Sequence, residues 1–252
     1  MFKYVVSLCS LLTLLSAYDC STHYPEGFPT QQVDKILCKK AFVIGYSFNT
    51  KTPLWAVEHL TKEHENDKRV NLEGFRYHRD YALERKYRST SSDYVYSTQD
   101  RSALVPFEDM NRDHFASNET FVMSNIAPQN YTLNRHAWVY LERGVRELAN
   151  VYEEVIVVTG VAFLQDDKET TQRIGHHQVA VPTHYYKAVY APNTIDGPKM
   201  WAWIVPNIAI DYKKMKEYRT TVDVLEATLG IDLFPNLSPT LQARVESKAI
   251  PL

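Results

Sequence analysis

Residues 100–110 read DRSALVPFEDM and residues 124–138 read SNIAPQNYTLNRHAW. The second stretch runs into Leu133–Asn150, where apolar residues recur at helical spacing. In a helix opened by Asn134, the residues Asn134, Trp138, Glu142 and Arg146 follow at intervals of four. Each interval advances about 40° beyond a full turn, so neighbours in the series share a face. That face carries an amide oxygen, a carboxylate and a guanidinium. The first two suit a hard cation such as Mg²⁺, which keeps much of its water and takes few protein ligands. The third suits a phosphate. A plainer reading stands beside this one. Asn134 can be a helix N-cap, Glu142 and Arg146 an ordinary surface pair, and Trp138 core in either case.

The surrounding chain has 252 residues, enough for one substantial domain. A hydrophobic content of 44% supplies a packed core, and a charged fraction of 23% argues against disorder. The formal net charge of -2 excludes binding of nucleic acid through an overall basic excess, so any phosphate-binding surface is local. There is no internal repeat, and with only 8 glycines no phosphate-cradling glycine loop. Ala41–Tyr46 and Pro53–Leu60 predict two strands joined by a hairpin-like turn at residues 49–51. Thr61–Ser92 reads as a polar loop with short helical pieces, and Thr120–Ser124 as β-prone. Val155–Phe163, Val179–Tyr190 and Met200–Pro206 predict further strands, and Val222–Leu229 a short helix. Strands and helices mix without a βαβ rhythm. The fold class expected is therefore α+β with a largely antiparallel sheet flanked by helices.

The N-terminus, MFKYVVSLCSLLTLLSA, has one positive residue, an apolar run and small residues after it. This is the pattern of a secretory signal peptide over residues 1–17. It implies a secreted or periplasmic protein without stable membrane association once the signal is removed. Residues 18–40 form a turn-rich arm, and residues 41–252 a single domain. Asp19 before Cys20 argues against lipidation. Cys9 would leave with the signal, so Cys20 and Cys38 are predicted to pair as a disulfide. No CxxC or nearby histidine cluster accompanies them, which argues against zinc.

Taken together, the two opening stretches resemble the DNA/RNA non-specific endonuclease family, the ββα-metal or His-Me finger nucleases. The resemblance rests on an Asp-Arg-x-x segment at 100–103 followed by Pro106, Ser124-Asn125 with Pro128-Gln129, Leu133-Asn134, Trp138 and Glu142. It extends over Gly45-Tyr46, residues 53–55, 158–160, 181–187, 205–207 and 221–236, in order. It implies a ββα-metal finger core within the sheet. Asn134 resembles the metal-ligating asparagine, and Glu142 the carboxylate holding metal-bound water. Arg101 and Arg146 resemble the phosphate and transition-state contacts, Asn125 a supporting polar residue among the substrate-binding groups. Asp100 orients the loop. Among the arginines at 76, 79, 85 and 88, Arg76 is the chosen substrate contact. The implied cofactor is Mg²⁺, with Mn²⁺ as its substitute. The implied substrates are DNA and RNA, cut without sequence specificity because phosphate contacts position and base contacts specify. A dedicated inhibitor protein is a further expected partner, and monomer and homodimer are both open.

The chain departs from the family at one catalytic point. Where the motif has its general-base histidine, this sequence has Ala103. His114 and His136 lie close in sequence but in other contexts. Loss of a general base costs on the order of 10²–10⁴ in rate. Two readings follow: an endonuclease impaired at a single position, or a natural pseudonuclease that binds nucleic acid or a protein partner without cutting. Retention of Arg101, Asn134, Glu142 and Arg146 favours the first.

Overall fold

The computed structural model describes residues 20, 24–62, 68–164 and 171–250. The expected signal segment lies outside them. The chain forms β1 (Lys35–Cys38), β2 (Phe42–Ser47), β3 (Thr52–Thr61), β4 (Gln99–Ala103), α1 (Phe107–Met110), α2 (His114–Thr120) and β5 (Ile126–Asn130). A helical segment follows, ending in α3 (Val139–Tyr152), then β6 (Glu154–Ala162), β7 (Arg173–Ile174), β8 (Val179–Ala180), β9 (His184–Ala191) and β10 (Lys199–Pro206). β11 (Arg219–Thr220), α4 (Val222–Leu229) and α5 (Pro239–Val245) complete it.

Seven strands make one antiparallel sheet in the order β1-β2-β3-β6-β9-β10-β11. The α+β expectation holds. The central strands β3, β6 and β9 are buried almost along their whole length, because helices cover the face that solvent would otherwise reach. Glycine makes room for a bulky cross-strand partner: a Cβ on Gly45 of β2 would lie 2.2 Å from the indole of Trp55, opposite it on β3. α3 buries Leu141, Val145, Leu148 and Ala149 on one face. Each large apolar side chain hidden this way contributes about 1.5–3 kcal/mol.

Several boundaries differ from the sequence reading. The end of the expected arm is strand β1, held to the sheet edge and joined through the Cys20–Cys38 disulfide. Thr120–Ser124 is not a strand: α2 runs through Thr120, and Met123–Asn125 makes a 3-10 turn. Val179–Tyr190 is split at Val181-Pro182-Thr183 into β8 and β9, since proline cannot supply a ladder donor. α5, with Pro239 at its first turn and the Ser238 side chain capping Leu241, follows the region where the fold was expected to close. Its start signals were legible in the sequence.

Candidate active site

β4 and β5 pair antiparallel outside the main sheet, with Arg101 opposite Pro128 and Ala103 opposite Ile126. A helical segment follows directly, so strands and helix form a ββα finger. Its first part, Leu133–Trp138, is a π-helical turn, and only from Val139 does the chain wind as a regular α-helix. π turns of this kind are often found at functional sites.

The N-cap reading of Asn134 fails. The helix is capped by Asn130, whose Oδ1 accepts from the backbone N–H of Thr132 (3.0 Å) and Leu133 (3.2 Å). Asn134 instead donates from Nδ2 to Asp100 Oδ2 at 3.0 Å. The Arg135 Nε donates to the same oxygen at 2.8 Å. Burial works to raise the Asp100 carboxyl, but the bonds from Arg135 and Asn134 bring it below the ordinary aspartate value. Asp100 therefore stays charged and fixes which end of the Asn134 amide it holds. The amide oxygen is left to face another partner. A carboxamide oxygen oriented in this way is a donor suited to a hard divalent cation.

The surface-pair reading of Glu142 and Arg146 fails too. Glu142 is buried at 8% exposure, and Arg146 pairs with a different acid, Asp109, at 2.6 Å. Asp109 is 3% exposed. These residues belong to a buried charged network with Glu58 of β3 and Lys187 of β9, each 1% exposed. Lys187 Nζ donates to the Thr159 hydroxyl and lies 5.6 Å from the Trp138 ring centroid. Burial raises the Glu142 carboxyl to about 7, against the pull of Lys187 and with a push from Asp109. Burial likewise raises Glu58, and the neighbouring Asp109 adds to it, against the pull of Lys187 and Arg146. Burial works to lower Arg146, but Asp109 and Glu142 hold it above its ordinary value. Sequence reasoning missed Glu58, Asp109 and Lys187. The available signal was a lone charge inside an apolar strand: Glu58 within PLWAVEHL and Lys187 within THYYKAVY.

Arg101 lies over the Tyr77 ring at 4.9 Å and donates from Nη1 to the Ser91 hydroxyl at 2.7 Å. Ala103 is half-buried and packs, with Tyr77, against a small apolar cluster of Tyr94, Met123, Ile126, Ile174, Val179 and Val181. Asn125 is 0% exposed. Its Oδ1 accepts from the Val105 N–H, and its Nδ2 donates to the carbonyls of Val105 and Thr120. It supports the chain after β4 and has no surface to offer a substrate. Arg76 is exposed between Phe75 and Tyr77, with Nη1 donating to the Phe75 carbonyl. The structure does not bring it onto the Asn134–Glu142 group. Arg146 borders a cavity of about 450 Å³ that also collects Arg69 and Arg143. A larger cavity, about 590 Å³, lies beside Asp93 and the β7–β8 hairpin, next to the Ser91 and Ile174 neighbours of Arg101 and Ala103. A long polymer needs an open face rather than an enclosed pocket, so cavity size does not locate this site.

The substitutes for a histidine at 103 are poorly placed. His114 packs its ring against Phe75, and His136 lies with Ala209–Tyr212. His177 is held through Nδ1 by Asp93 at 2.9 Å.

A profile of the DNA/RNA non-specific endonuclease family matches residues 19–240. Nuclease C1 of Cunninghamella echinulata var. echinulata is 32% identical over 207 residues, covering 79% of this chain and 82% of that protein. The mitochondrial endonuclease G of Bos taurus is 30% identical over 212 residues, covering 81% and 71%. A crystal structure of an EndoG/EndoGI complex, concerned with the mechanism of EndoG inhibition, superposes with a TM-score of 0.77 at 28% identity, covering 84% of this chain and 90% of that one. The expected secreted or periplasmic location is corrected by these relatives: the bovine protein and those of both yeasts are named mitochondrial nucleases. The apolar leader pattern alone was too weak a guide to compartment.

Proposed function

The chain belongs to the DNA/RNA non-specific endonuclease family, and from that premise we propose a Mg²⁺-dependent endonuclease whose turnover on DNA and RNA is held low by Ala103. The observation that supports it most is the Asp100–Asn134 bond, because it turns a helix-face amide into an oriented oxygen donor. Asn134 would hold the ion, with Glu142 acting through its bound water. The chemistry a divalent cation supplies there is polarisation of a phosphoryl oxygen and neutralisation of charge on the departing oxygen.

The chain's own residues divide the remaining roles. Arg101 and Arg146 are the guanidinium groups for the scissile phosphate and for the charge that grows on it. Tyr77 and Ser91 hold Arg101 in place, and Asp109 holds Arg146. None of these groups reads a base edge, which accords with cleavage without sequence preference. Position 103 offers a methyl group where a proton acceptor is needed, so attacking water must lose its proton to solvent. A mitochondrial setting and control by an inhibitor protein follow the relatives and the EndoG/EndoGI complex.

The test is a Mg²⁺ titration by calorimetry on the unmodified chain and on Asn134→Ala, beside plasmid nicking at high enzyme concentration. The reading expects binding and slow nicking in the first and neither in the second. Equal Mg²⁺ affinity in both would reduce Asn134 to a structural residue.

A further inference from the structure

Away from the ββα finger, three carboxylates converge where the C-terminal helix meets α4. Asp223 and Glu226 lie in α4, and Glu246 follows the last residue of α5. One carboxylate oxygen from each lies within 4.8 Å of the others. Asp223 is exposed, Glu226 half-buried and Glu246 buried at 4% exposure. Backbone geometry fixes the arrangement: the Asp223 N–H donates to the Glu246 carbonyl at 3.2 Å. Glu226 spends one oxygen on the Leu233 N–H at 2.8 Å.

Two features separate this cluster from an ordinary acidic surface. The first is the Glu246 Oε1 atom, which is buried and has no hydrogen-bond partner. A buried carboxylate oxygen without a donor is unfavourable, because it has lost its water and gained no partner in exchange. The second is the absence of compensation. Among the described residues, no lysine or arginine forms an ion pair with any of the three. Besides burial, the charges acting on Glu226 are Asp232 and Asp223, and those acting on Glu246 are Glu226, Asp232 and Asp223. Burial with this one-signed field raises both carboxyls, Glu226 to about 7 and Glu246 to about 8. Elsewhere in the fold, the buried acids Asp80, Asp93 and Asp109 have donors or cations of their own; Glu26 and Glu58 also leave oxygens without a hydrogen-bond partner, but Glu58 has the cations Lys187 and Arg146 acting on it.

We propose that Asp223, Glu226 and Glu246 bind a hard divalent cation, calcium by its ligand chemistry, which fastens the C-terminal helix α5 to α4. Calcium accepts several carboxylates in irregular geometry and completes its shell with water, whereas Mg²⁺ demands near-octahedral placement. Asp223 provides the open side by which ion and water enter. The ion supplies the positive charge that no side chain supplies and gives Glu246 Oε1 a partner. The site is separate from the nuclease centre and does not depend on the reading of Asn134.

The experiment is calcium titration of the full chain by calorimetry, with thermal unfolding in calcium and in EDTA at pH 7.5. It uses the unmodified protein, Asp223→Asn, Glu246→Gln and Asn134→Ala. The unmodified protein should gain roughly 5–10 °C in Tm when free calcium is about a hundred times its Kd. Asn134→Ala should keep that gain, which separates this site from the nuclease metal. Asp223→Asn, at an exposed position that leaves the packing alone, should weaken calcium binding roughly tenfold through loss of one charged ligand. Glu246→Gln should abolish the gain while melting no lower than the unmodified protein in EDTA. The proposal is overturned if calcium leaves Tm and heat unchanged in the unmodified protein, in which case a shared proton satisfies the cluster. It is equally overturned if the gain survives in Asp223→Asn and Glu246→Gln but disappears in Asn134→Ala.

Discussion

Ala103→His is the substitution whose effect follows most directly from the structure. Position 103 ends β4, opposite Ile126, and its side chain is only half-buried. An imidazole there has solvent on one side and the Tyr77 side of the small apolar cluster on the other. The folding cost is therefore that of an ordinary half-exposed substitution, about 1 kcal/mol. The kinetic gain is much larger. A general base contributes on the order of 10²–10⁴ in rate, equivalent to about 2.7–5.4 kcal/mol of barrier. The full factor is expected because, among the described residues, the histidines considered as substitutes are engaged elsewhere: His114 packs at a tilt on Phe75, His136 lies with Ala209–Tyr212, and His177 is tied to Asp93. The assay is steady-state cleavage of supercoiled plasmid and of a fluorogenic RNA in Mg²⁺. kcat should rise a hundredfold or more on both while KM stays within about threefold, since the group acts in the transition state and not in binding. A kcat that moves less than about threefold, in a variant that still binds Mg²⁺ and nucleic acid, would refute the reasoning. It would mean either that another group accepts the proton or that the chain binds without cutting.

Other expected outcomes concern stability. Asp80 accepts from Lys39 at 2.9 Å, from the Ser124 hydroxyl and from the Ala82 N–H. Burial opposes its ionisation, but Lys39 leads the groups that hold it below the ordinary 3.8. A depressed folded value means that the contribution is present above the unfolded value and is lost as pH falls. Asp80→Asn should thus cost about 3–5 kcal/mol at pH 7 by urea denaturation, and the gap should narrow below about pH 4. A gap independent of pH would contradict this. Lys187→Met should destabilise by a similar 3–5 kcal/mol, because it removes a cation that acts on Glu58, Asp109 and Glu142, whereas Glu58→Gln should stay within about 1 kcal/mol since burial and Asp109 already push that carboxyl toward its neutral form. The reverse order would show that Glu58 carries the charge. Removing the disulfide with Cys38→Ser should cost about 3 kcal/mol for a cross-link of separation 18, read as a lower urea midpoint.

The motif order made the family and the finger legible in the sequence, and the apolar runs at 41–46, 155–163 and 200–206 marked strands β2, β6 and β10. What the sequence could not convey was pairing over distance. Asp109 reads as one acid in a polar FEDM turn, and only the fold brings it to Arg146, 37 residues on. Glu58 and Lys187 lie on strands more than a hundred residues apart, and the closed sheet places both within the electrostatic reach of Glu142. Asn125 misled for the same reason. A polar residue in a motif suggests contact with substrate, but here every hydrogen-bonding group of its amide is spent on the backbone of neighbouring turns.

On the proposed reading that Asn134 and Glu142 serve one ion, the π turn matters because regular helical spacing would part them. In a regular α-helix the eight residues from Asn134 to Glu142 turn about 80° past two full turns, enough to put an amide and a carboxylate on different sides of one small ion. A π turn is wider and advances less per residue than an α-helix. Over Leu133–Trp138 it therefore reduces the angular drift that regular winding would put between Asn134 and Glu142. The same wider turn leaves Asn130 to cap the segment and directs the Asn134 amide nitrogen to Asp100. A buried network of three acids and two bases is expensive to keep, and apolar replacement would often be more stable. On the proposed reading, its place beneath the helix that carries Asn134 and Glu142 serves an ion- and phosphate-binding face, which Ala103 would leave in place while removing one proton acceptor.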